Sequence, residues 1–121
     1  MEEKVDLELD SQGDIATVAF KATSISNFDG ITAAAEEIKS FIQEKAPKAI
    51  IFDFEKVKFF SSQVLGLLLE IRAKQKKSDG KVAISGINPQ LHRVFTITNL
   101  DKIFTFFPSK EIALKSIYDV Q

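Results

Sequence analysis

The run Ala49-Ile-Ile-Phe52 limits the possible folds of this chain more than any other segment. It is continuously apolar, contains two β-branched isoleucines, and lies between two segments whose apolar residues recur at helical spacing. Successive side chains of a strand point to opposite faces, so a strand that is apolar at every position must be covered on both. The run therefore predicts the central strand of a sheet.

Two strand patterns precede this run. Residues 5–9 alternate apolar and polar side chains, as a half-buried strand does. Turn-forming residues follow at 10–13, and a second strand pattern covers 15–20. The two patterns predict an N-terminal hairpin.

Helical and strand patterns alternate through the rest of the chain. The first helical spacing starts at Ile31, after a candidate N-cap at Ser26 or Asn27. Further strands are expected at 82–85 and 103–106, each followed by a helix. This order predicts an α/β fold with a mixed sheet of about five strands and about four helices.

Composition and charge exclude several classes of protein. The 121 residues fit one domain, residues 1–121, that buries a core without disulfides or metal. The formal charge is −1, from 16 basic and 17 acidic side chains, so the chain lacks the excess of positive charge that attracts nucleic acid or an anionic membrane. The N-terminus lacks the pattern of a secretory signal, and no apolar run reaches the roughly 18 residues of a membrane span. We therefore expect a cytoplasmic protein without direct membrane insertion.

The sequence contains no familiar catalytic or cofactor motif. There is no cysteine, and the single histidine, His92, lies within a helical pattern. The five glycines form neither a P-loop nor a dinucleotide-binding motif, and no residues have the spacing of a metal site. We expect neither an enzyme nor a bound cofactor or metal.

Ser61 and Ser62 stand at the start of the apolar helix that follows the central strand. A serine oxygen at this point can accept a hydrogen bond from an unpaired N–H of the first helical turn, which is the commoner use of such a residue. A phosphate would instead bring about 1.5 to 2 negative charges to the positive end of the helix dipole, which the fold can tolerate. The pair is consistent with capping and with regulatory phosphorylation.

The residues around this pair form the run Asp53-Phe-Glu-Lys-Val-Lys-Phe-Phe-Ser-Ser-Gln-Val-Leu-Gly66, in which an Asp closes the strand and hydroxyl residues open the helix. This run resembles the signature of the STAS domain family of bacterial anti-sigma factor antagonists. Ser62 falls where the family carries its phosphorylated serine. The departures from the family pattern are Ser61 for Asp, Gln63 for a hydroxyl residue and Val64 for Gly.

The resemblance implies both a fold and a function. The helices would pack on one side of the sheet, and the serine loop would lie at the carboxyl end of the central strand. The partner would be an anti-sigma factor that is also a serine kinase of the histidine-kinase-like ATPase fold, and binding would release a sigma factor. Phosphorylation of Ser62, or alternatively of Ser61, would weaken that binding, and a serine phosphatase could reverse it. The kinase would supply ATP in trans, so the chain needs no cofactor of its own.

Two other functions are consistent with the same family. One is a scaffold subunit of a transporter ATPase complex, which needs the helix surface but no phosphorylation. The presence of Ser61 in place of the family Asp slightly favours this scaffold role. The other is a nucleotide-sensing or enzymatic domain, indicated only by the loop at the carboxyl end of the central strand.

The segment around Ser62 supplies the candidate partner-binding residues. They share a position within one loop or one helical turn of Ser62, and they are Phe59, Phe60, Ser61, Gln63, Gly66 and Leu67. Neighbours on a strand point to opposite sides, so one of Phe59 and Phe60, or one of Phe106 and Phe107, is expected to reach the surface beside the serine loop. The alternative is that the apolar members extend the core.

Two further residues of this segment have predicted roles. Glycine within a helix costs about 0.5 to 1 kcal/mol relative to alanine, so Gly66 indicates the close approach either of a partner or of another helix. Asp53 is predicted to bond loop N–H groups and to make the turn into the helix rigid.

The helix after the serine pair ends in the basic run Arg72-Ala-Lys-Gln-Lys-Lys77. Cations in the last turns of a helix complement its dipole. We therefore interpret the run as a solvated helix end, and the alternative is a binding patch.

Overall fold

The computed structural model describes residues 4–119 of the chain. Its strands, in chain order, are β1 Leu7–Gln12, β2 Ile15–Phe20, β3 Ser24–Ile25, β4 Ala49–Asp53, β5 Phe59–Phe60, β6 Lys81–Ser85 and β7 Thr105–Phe107. Its α-helices are α1 Phe28–Lys45, α2 Ser62–Lys77, α3 Pro89–Ile97 and α4 Lys110–Ser116. Two short 3₁₀ helices, Leu100–Lys102 and Ile117–Asp119, follow α3 and α4.

Five of the strands form one mixed sheet in the order β1-β2-β4-β6-β7. β1 is antiparallel to β2, and the other neighbours are parallel. β4 is central, with Ala49 opposite both Ile15 of β2 and Lys81 of β6. All five residues of β4 are buried. The predicted hairpin, mixed sheet and central strand are confirmed.

Different helices cover the two faces of the sheet. Ile50 of β4 and Ile84 of β6 belong to the main core, together with buried side chains of α1, α2 and α3. Ile51 points the other way and packs in a second cluster with Ala113 of α4 and Ile117. The expectation that the helices lie on one side therefore holds for three helices and is corrected for α4. The reason is the apolar character of β4 at every position, which requires a cover on each face.

The helix ends follow the local signals of the sequence. The Gly30 N–H donates to Asn27 Oδ1 at 2.6 Å, so Asn27 rather than Ser26 is the N-cap of α1. The Leu91 N–H donates to Asn88 Oδ1 at 2.8 Å, which caps α3 in the same way. Such caps satisfy N–H groups that have no partner inside the helix.

A second sheet consists of β3 and β5 alone, with Ser24 opposite Phe59 and Ile25 opposite Phe60. Strands of two residues are too short to produce a periodic pattern, so the sequence did not predict them. The Ser61 N–H also donates to the Ile25 carbonyl at 2.9 Å. These bonds hold the chain immediately before α2 and thereby determine where the serine pair lies.

The central position of β4 predicts strong protection of its amides from hydrogen exchange. Ile50 and Ile51 are fully buried and have paired strands on both sides, so their exchange should require an opening close to global unfolding. Amides of β5 should exchange faster, because that strand has a single short partner. Native-state exchange followed by NMR measures both. Fast exchange at Ile50 and Ile51 would contradict the central strand.

Candidate functional site

The loop from β4 to α2 is held at several points along its length. The Phe54 N–H donates to the Ser85 carbonyl at 2.9 Å, and the Lys58 N–H donates to the Thr23 carbonyl at 2.7 Å. The Asn88 side chain donates to the Val57 carbonyl at 3.2 Å. The loop therefore presents the start of α2 in a defined position.

Asp53 lies at the carboxyl end of β4, on the face of the sheet that α4 covers. Its carboxylate accepts a hydrogen bond of 2.9 Å from the Ser85 hydroxyl. Burial raises the pKa of Asp53 above its usual value, while the bonds from Ser85 and from the Glu55 backbone oppose that rise. Asp53 thus joins β4 to β6 as well as bonding one loop amide, and its role in making the loop rigid stays a prediction.

Replacing Asp53 with alanine is expected to destabilise the protein by about 1 to 3 kcal/mol. The Ser85 hydroxyl is fully buried and would lose its partner, and an unsatisfied buried polar group costs about that much. Asp53→Asn is the matched control, because its amide oxygen still accepts the Ser85 bond. Urea unfolding at pH 7 measures both variants. Equal stability of Asp53→Ala and the wild type would contradict this structural role.

The pH dependence of the free energy of unfolding also tests the role of the buried Asp53 carboxyl. A carboxyl whose pKa is raised in the folded state contributes stability that is complete below its unfolded pKa and is lost as the pH rises through its folded pKa. As the pH rises from the unfolded pKa of Asp53 through its folded pKa, the wild type should therefore lose stability relative to Asp53→Asn.

The two serines have different environments. Ser61 occupies the N-cap position of α2, but its hydroxyl forms no capping bond, and its Oγ is buried without a hydrogen-bond partner among residues 4–119. Ser62 is the first residue of α2 and is exposed. The capping interpretation therefore does not account for either hydroxyl. Ser62 is therefore the more exposed of the two residues, and the Ser61 Oγ is the buried one.

The exposed surface beside Ser62 includes one of the two predicted phenylalanines. The Phe59 side chain is 54% exposed, whereas Phe60 is buried and packs edge-on against Phe54 and Phe95. The expected opposite orientation of the two rings is confirmed. Phe60 is corrected from a candidate partner contact to a core residue.

Leu67 requires the same correction. It is 6% exposed and belongs to the main core, so its side chain is not part of the surface. Gly66, its neighbour, is exposed. Apart from its own helix backbone and adjacent residues, no described atom lies within 4 Å of the point where a Cβ on Gly66 would stand. Packing against another helix therefore does not explain this glycine.

Gln63 connects the start of α2 to α1. Its amide nitrogen donates to the Phe28 carbonyl at 3.3 Å and to the Thr32 hydroxyl at 3.2 Å. Phe28, the first residue of α1, has a side chain that is 69% exposed. Phe28 could not be predicted from the sequence as part of this surface, because it lies 34 residues before Ser62 and only the fold brings its backbone to Gln63. Its one local signal was an aromatic residue directly after an N-cap.

A groove of about 510 Å³ lies between α1 and α2, next to Ser62. Gln63 and Gly66 line it from α2, and Ile31 and Ala35 line it from α1. The Lys39 ammonium and the Glu70 carboxylate bridge the two helices at 2.7 Å, and this bond lowers the pKa of Glu70. We define the switch surface as Phe28, Phe59, Ser62, Gln63 and Gly66.

Two other kinds of site, a metal centre and a membrane-spanning helix, are absent from the described residues 4–119. No cluster of three His, Cys, Asp or Glu side chains among residues 4–119 is arranged to hold a metal ion. His92 is half-buried on α3, where its ring packs edge-on against Phe106 at 4.7 Å. Within the same range, no helix has both the length and the apolar character needed to cross a membrane.

The sequence matches the STAS domain family over residues 7–113. The chain belongs to the STAS domain family. The match begins with β1 and ends within α4, so it includes the complete five-stranded sheet and the switch surface. The resemblance inferred from the serine segment is confirmed for the family.

Three solved structures have a similar fold. The anti-sigma factor antagonist SpoIIAA in its unphosphorylated form has a TM-score of 0.80 at 17% identity, covering 96% of this chain and 99% of that chain. The phosphorylated form of SpoIIAA from Bacillus has a TM-score of 0.72 at 19% identity, with coverages of 93% and 99%. The STAS domain of a SulP transporter from Vibrio cholerae has a TM-score of 0.65 at 21% identity, with coverages of 92% and 89%.

Proposed function

We propose that this STAS protein is an anti-sigma factor antagonist whose binding is controlled by phosphorylation of Ser62. The observation that carries the proposal is the contrast between the two serines. Ser62, the first residue of α2, is exposed, whereas the Ser61 Oγ is buried. A kinase can therefore approach Ser62 in the folded protein, whereas the Ser61 Oγ would first have to leave its buried position.

The electrostatics of α2 favour a phosphate on Ser62. The first turn of α2, Ser-Gln-Val-Leu, carries no carboxylate that would repel it. The positive end of the helix dipole stabilises negative charge, so the modified protein keeps its fold. The phosphate therefore changes the surface rather than the structure beneath it.

The switch surface offers the contacts that a protein partner needs. Phe28 and Phe59 expose aromatic side chains, and aromatic residues are enriched at protein interfaces. Gly66 leaves open space on α2 for close approach of the partner. A phosphate inside such an interface brings a strongly hydrated charge that must be desolvated, which weakens docking.

The partner that fits this role is an anti-sigma factor that is also a serine kinase of the histidine-kinase-like ATPase fold. The kinase supplies ATP in trans, and the STAS protein binds without catalysing a reaction. A serine phosphatase that removes the phosphate restores binding. Docking of the unphosphorylated form releases the sigma factor.

Phosphorylation assays test the modification site. The full chain is incubated with ATP and each kinase of this fold from the same genome, and the phosphate is mapped by mass spectrometry. Phosphate on Ser62 of the wild type and of Ser61→Ala, with none on Ser62→Ala, is the expected result. Phosphate on Ser61 alone, or on neither serine with every such kinase, would contradict the proposal. Copurification with a transport ATPase and no kinase would instead indicate the scaffold role.

A further inference from the structure

The segment that leads into α2 is hydrogen-bonded to the segment that leads into α1. Along β3 and β5, the Lys58 N–H donates to the Thr23 carbonyl at 2.7 Å, and the Ser61 N–H donates to the Ile25 carbonyl at 2.9 Å. In each of these bonds, a backbone donor of the later segment meets a carbonyl of the earlier one. The starts of the two helices are therefore joined before either helix begins.

The Gln63 side chain continues this series of hydrogen bonds after both short strands have ended. Its amide nitrogen donates to the Phe28 carbonyl at 3.3 Å, so a side-chain donor takes the place of a backbone N–H. The same nitrogen donates to the Thr32 hydroxyl at 3.2 Å, and that hydroxyl donates to the Phe28 carbonyl at 3.0 Å. The three groups form a closed network at the first turn of α1.

The position of the Phe28 ring depends on this first turn. The side chain is exposed, and within residues 4–119 it takes part in none of the contacts between aromatic rings. Helix ends open readily, which would move the ring relative to the start of α2. The bond from Gln63 opposes that opening, because it ties the Phe28 carbonyl to α2.

The donors of Gln63 are directed towards α1 rather than towards solvent. A side-chain amide has two N–H donors, and α1 provides two acceptors, the Phe28 carbonyl and the Thr32 hydroxyl. Neither donor is therefore left for a protein partner. An interface whose side chains are already held in place loses less conformational freedom when it binds.

We propose that Gln63 is a positioning residue for partner docking, which acts by holding the Phe28 ring beside the start of α2. The inference rests on the proposed function and deepens it, because it divides the switch surface into residues that touch the partner and one that orders them. Phe28 contacts the partner, and Gln63 acts through Phe28.

A double-mutant cycle between Gln63 and Phe28 tests this dependence. Gln63→Met keeps the length of the side chain and removes its donors. The kinase that modifies Ser62 in the phosphorylation assay is titrated by calorimetry with ADP in place of ATP, so that no phosphate is transferred. Gln63→Met should weaken binding about threefold to tenfold, the range expected from one net hydrogen bond. In the Phe28→Ala background the same change should alter the affinity by less than about twofold.

Hydrogen exchange of the free protein measures the hold on α1 without any partner. The Gly30 and Ile31 amides lie in the first turn of α1, and their exchange should become about threefold to tenfold faster in Gln63→Met. Gln43→Met is the matched control, because it makes the same substitution at an exposed position near the other end of α1. Gln43→Met should match the wild type in both exchange and affinity.

The outcomes separate this inference from the proposed function. An equal loss of affinity from Gln63→Met with and without Phe28 would overturn the inference, because Gln63 would then act independently of the ring. Unchanged exchange at Gly30 and Ile31, or full affinity of Phe28→Ala, would also overturn it. Each of these results leaves the proposed function standing. A wild-type protein that binds no kinase of this fold would overturn both.

Discussion

Gly66→Arg is expected to abolish binding to the anti-sigma factor while the protein keeps, or slightly gains, thermal stability. The stability follows from the exposure of Gly66 and from the open space around it: a Cβ there would meet no described atom within 4 Å beyond its own helix backbone and adjacent residues. Replacing a helical glycine also removes a cost of about 0.5 to 1 kcal/mol. Binding is lost because the arginine fills the space that the partner would occupy. Thermal unfolding and calorimetric titration measure the two effects separately.

Ala73→Arg is the matched control for this variant. Ala73 is exposed on α2 and lies two helical turns after Gly66. Ala73→Arg therefore adds the same charged side chain to the same helix at a different position. Its affinity for the anti-sigma factor should stay close to that of the wild type. A Gly66→Arg protein with full stability and full affinity would show that this part of α2 is not the docking surface. A large fall in its melting temperature would show that Gly66 is required for internal packing.

Ser62→Asp is expected to weaken partner binding by at least about tenfold, which corresponds to 1.4 kcal/mol. The negative charge at the start of α2 should leave unfolding cooperative and should stabilise the helix by about 0.3 to 1 kcal/mol. Ser62→Ala should bind like the wild type and should resist inactivation by the kinase and ATP. Calorimetric titration of each variant with the anti-sigma factor gives the affinities.

Ser61→Ala is the control that separates the two hydroxyls. The Ser61 Oγ is buried and has no hydrogen-bond partner among the described residues, so replacing Ser61 with alanine should be neutral or stabilising. The variant should also keep the phosphorylation switch. Loss of the switch in Ser61→Ala, with the switch retained in Ser62→Ala, would transfer the regulatory role to Ser61.

Patterns of burial made most of the fold predictable. The apolar run of β4, the alternation at the start of the hairpin and the N-cap of α1 all follow from local chemistry, and each is found in the structure. The same reasoning also predicts the position of α4, because a strand that is apolar on both faces needs packing elements on both faces of the sheet. The family resemblance instead favoured helices on one side of the sheet. The apolar residues of β4 gave the correct prediction, because α4 packs on the second face.

The candidate site was only partly predictable, because its surface comes from distant segments. Because adjacent residues of an extended chain point to opposite sides, the sequence indicated that Phe59 and Phe60 would differ in exposure, but not which one would be exposed. Their orientation depends on pairing with β3, and neither short strand has a periodic signal. Phe28 reaches the surface through contacts between α1 and α2 made by Gln63. The burial of Leu67 likewise depends on how α2 packs in the main core.

Control of docking by a phosphate on Ser62 can be measured as a difference in affinity between two forms of the chain. The chain is prepared unmodified and fully phosphorylated on Ser62, and each form is titrated into the same anti-sigma factor by calorimetry at the same ionic strength. The phosphorylated form is expected to bind at least about tenfold more weakly and to have the same fold by circular dichroism. Equal affinities for the two forms would show that the Ser62 phosphate does not control docking.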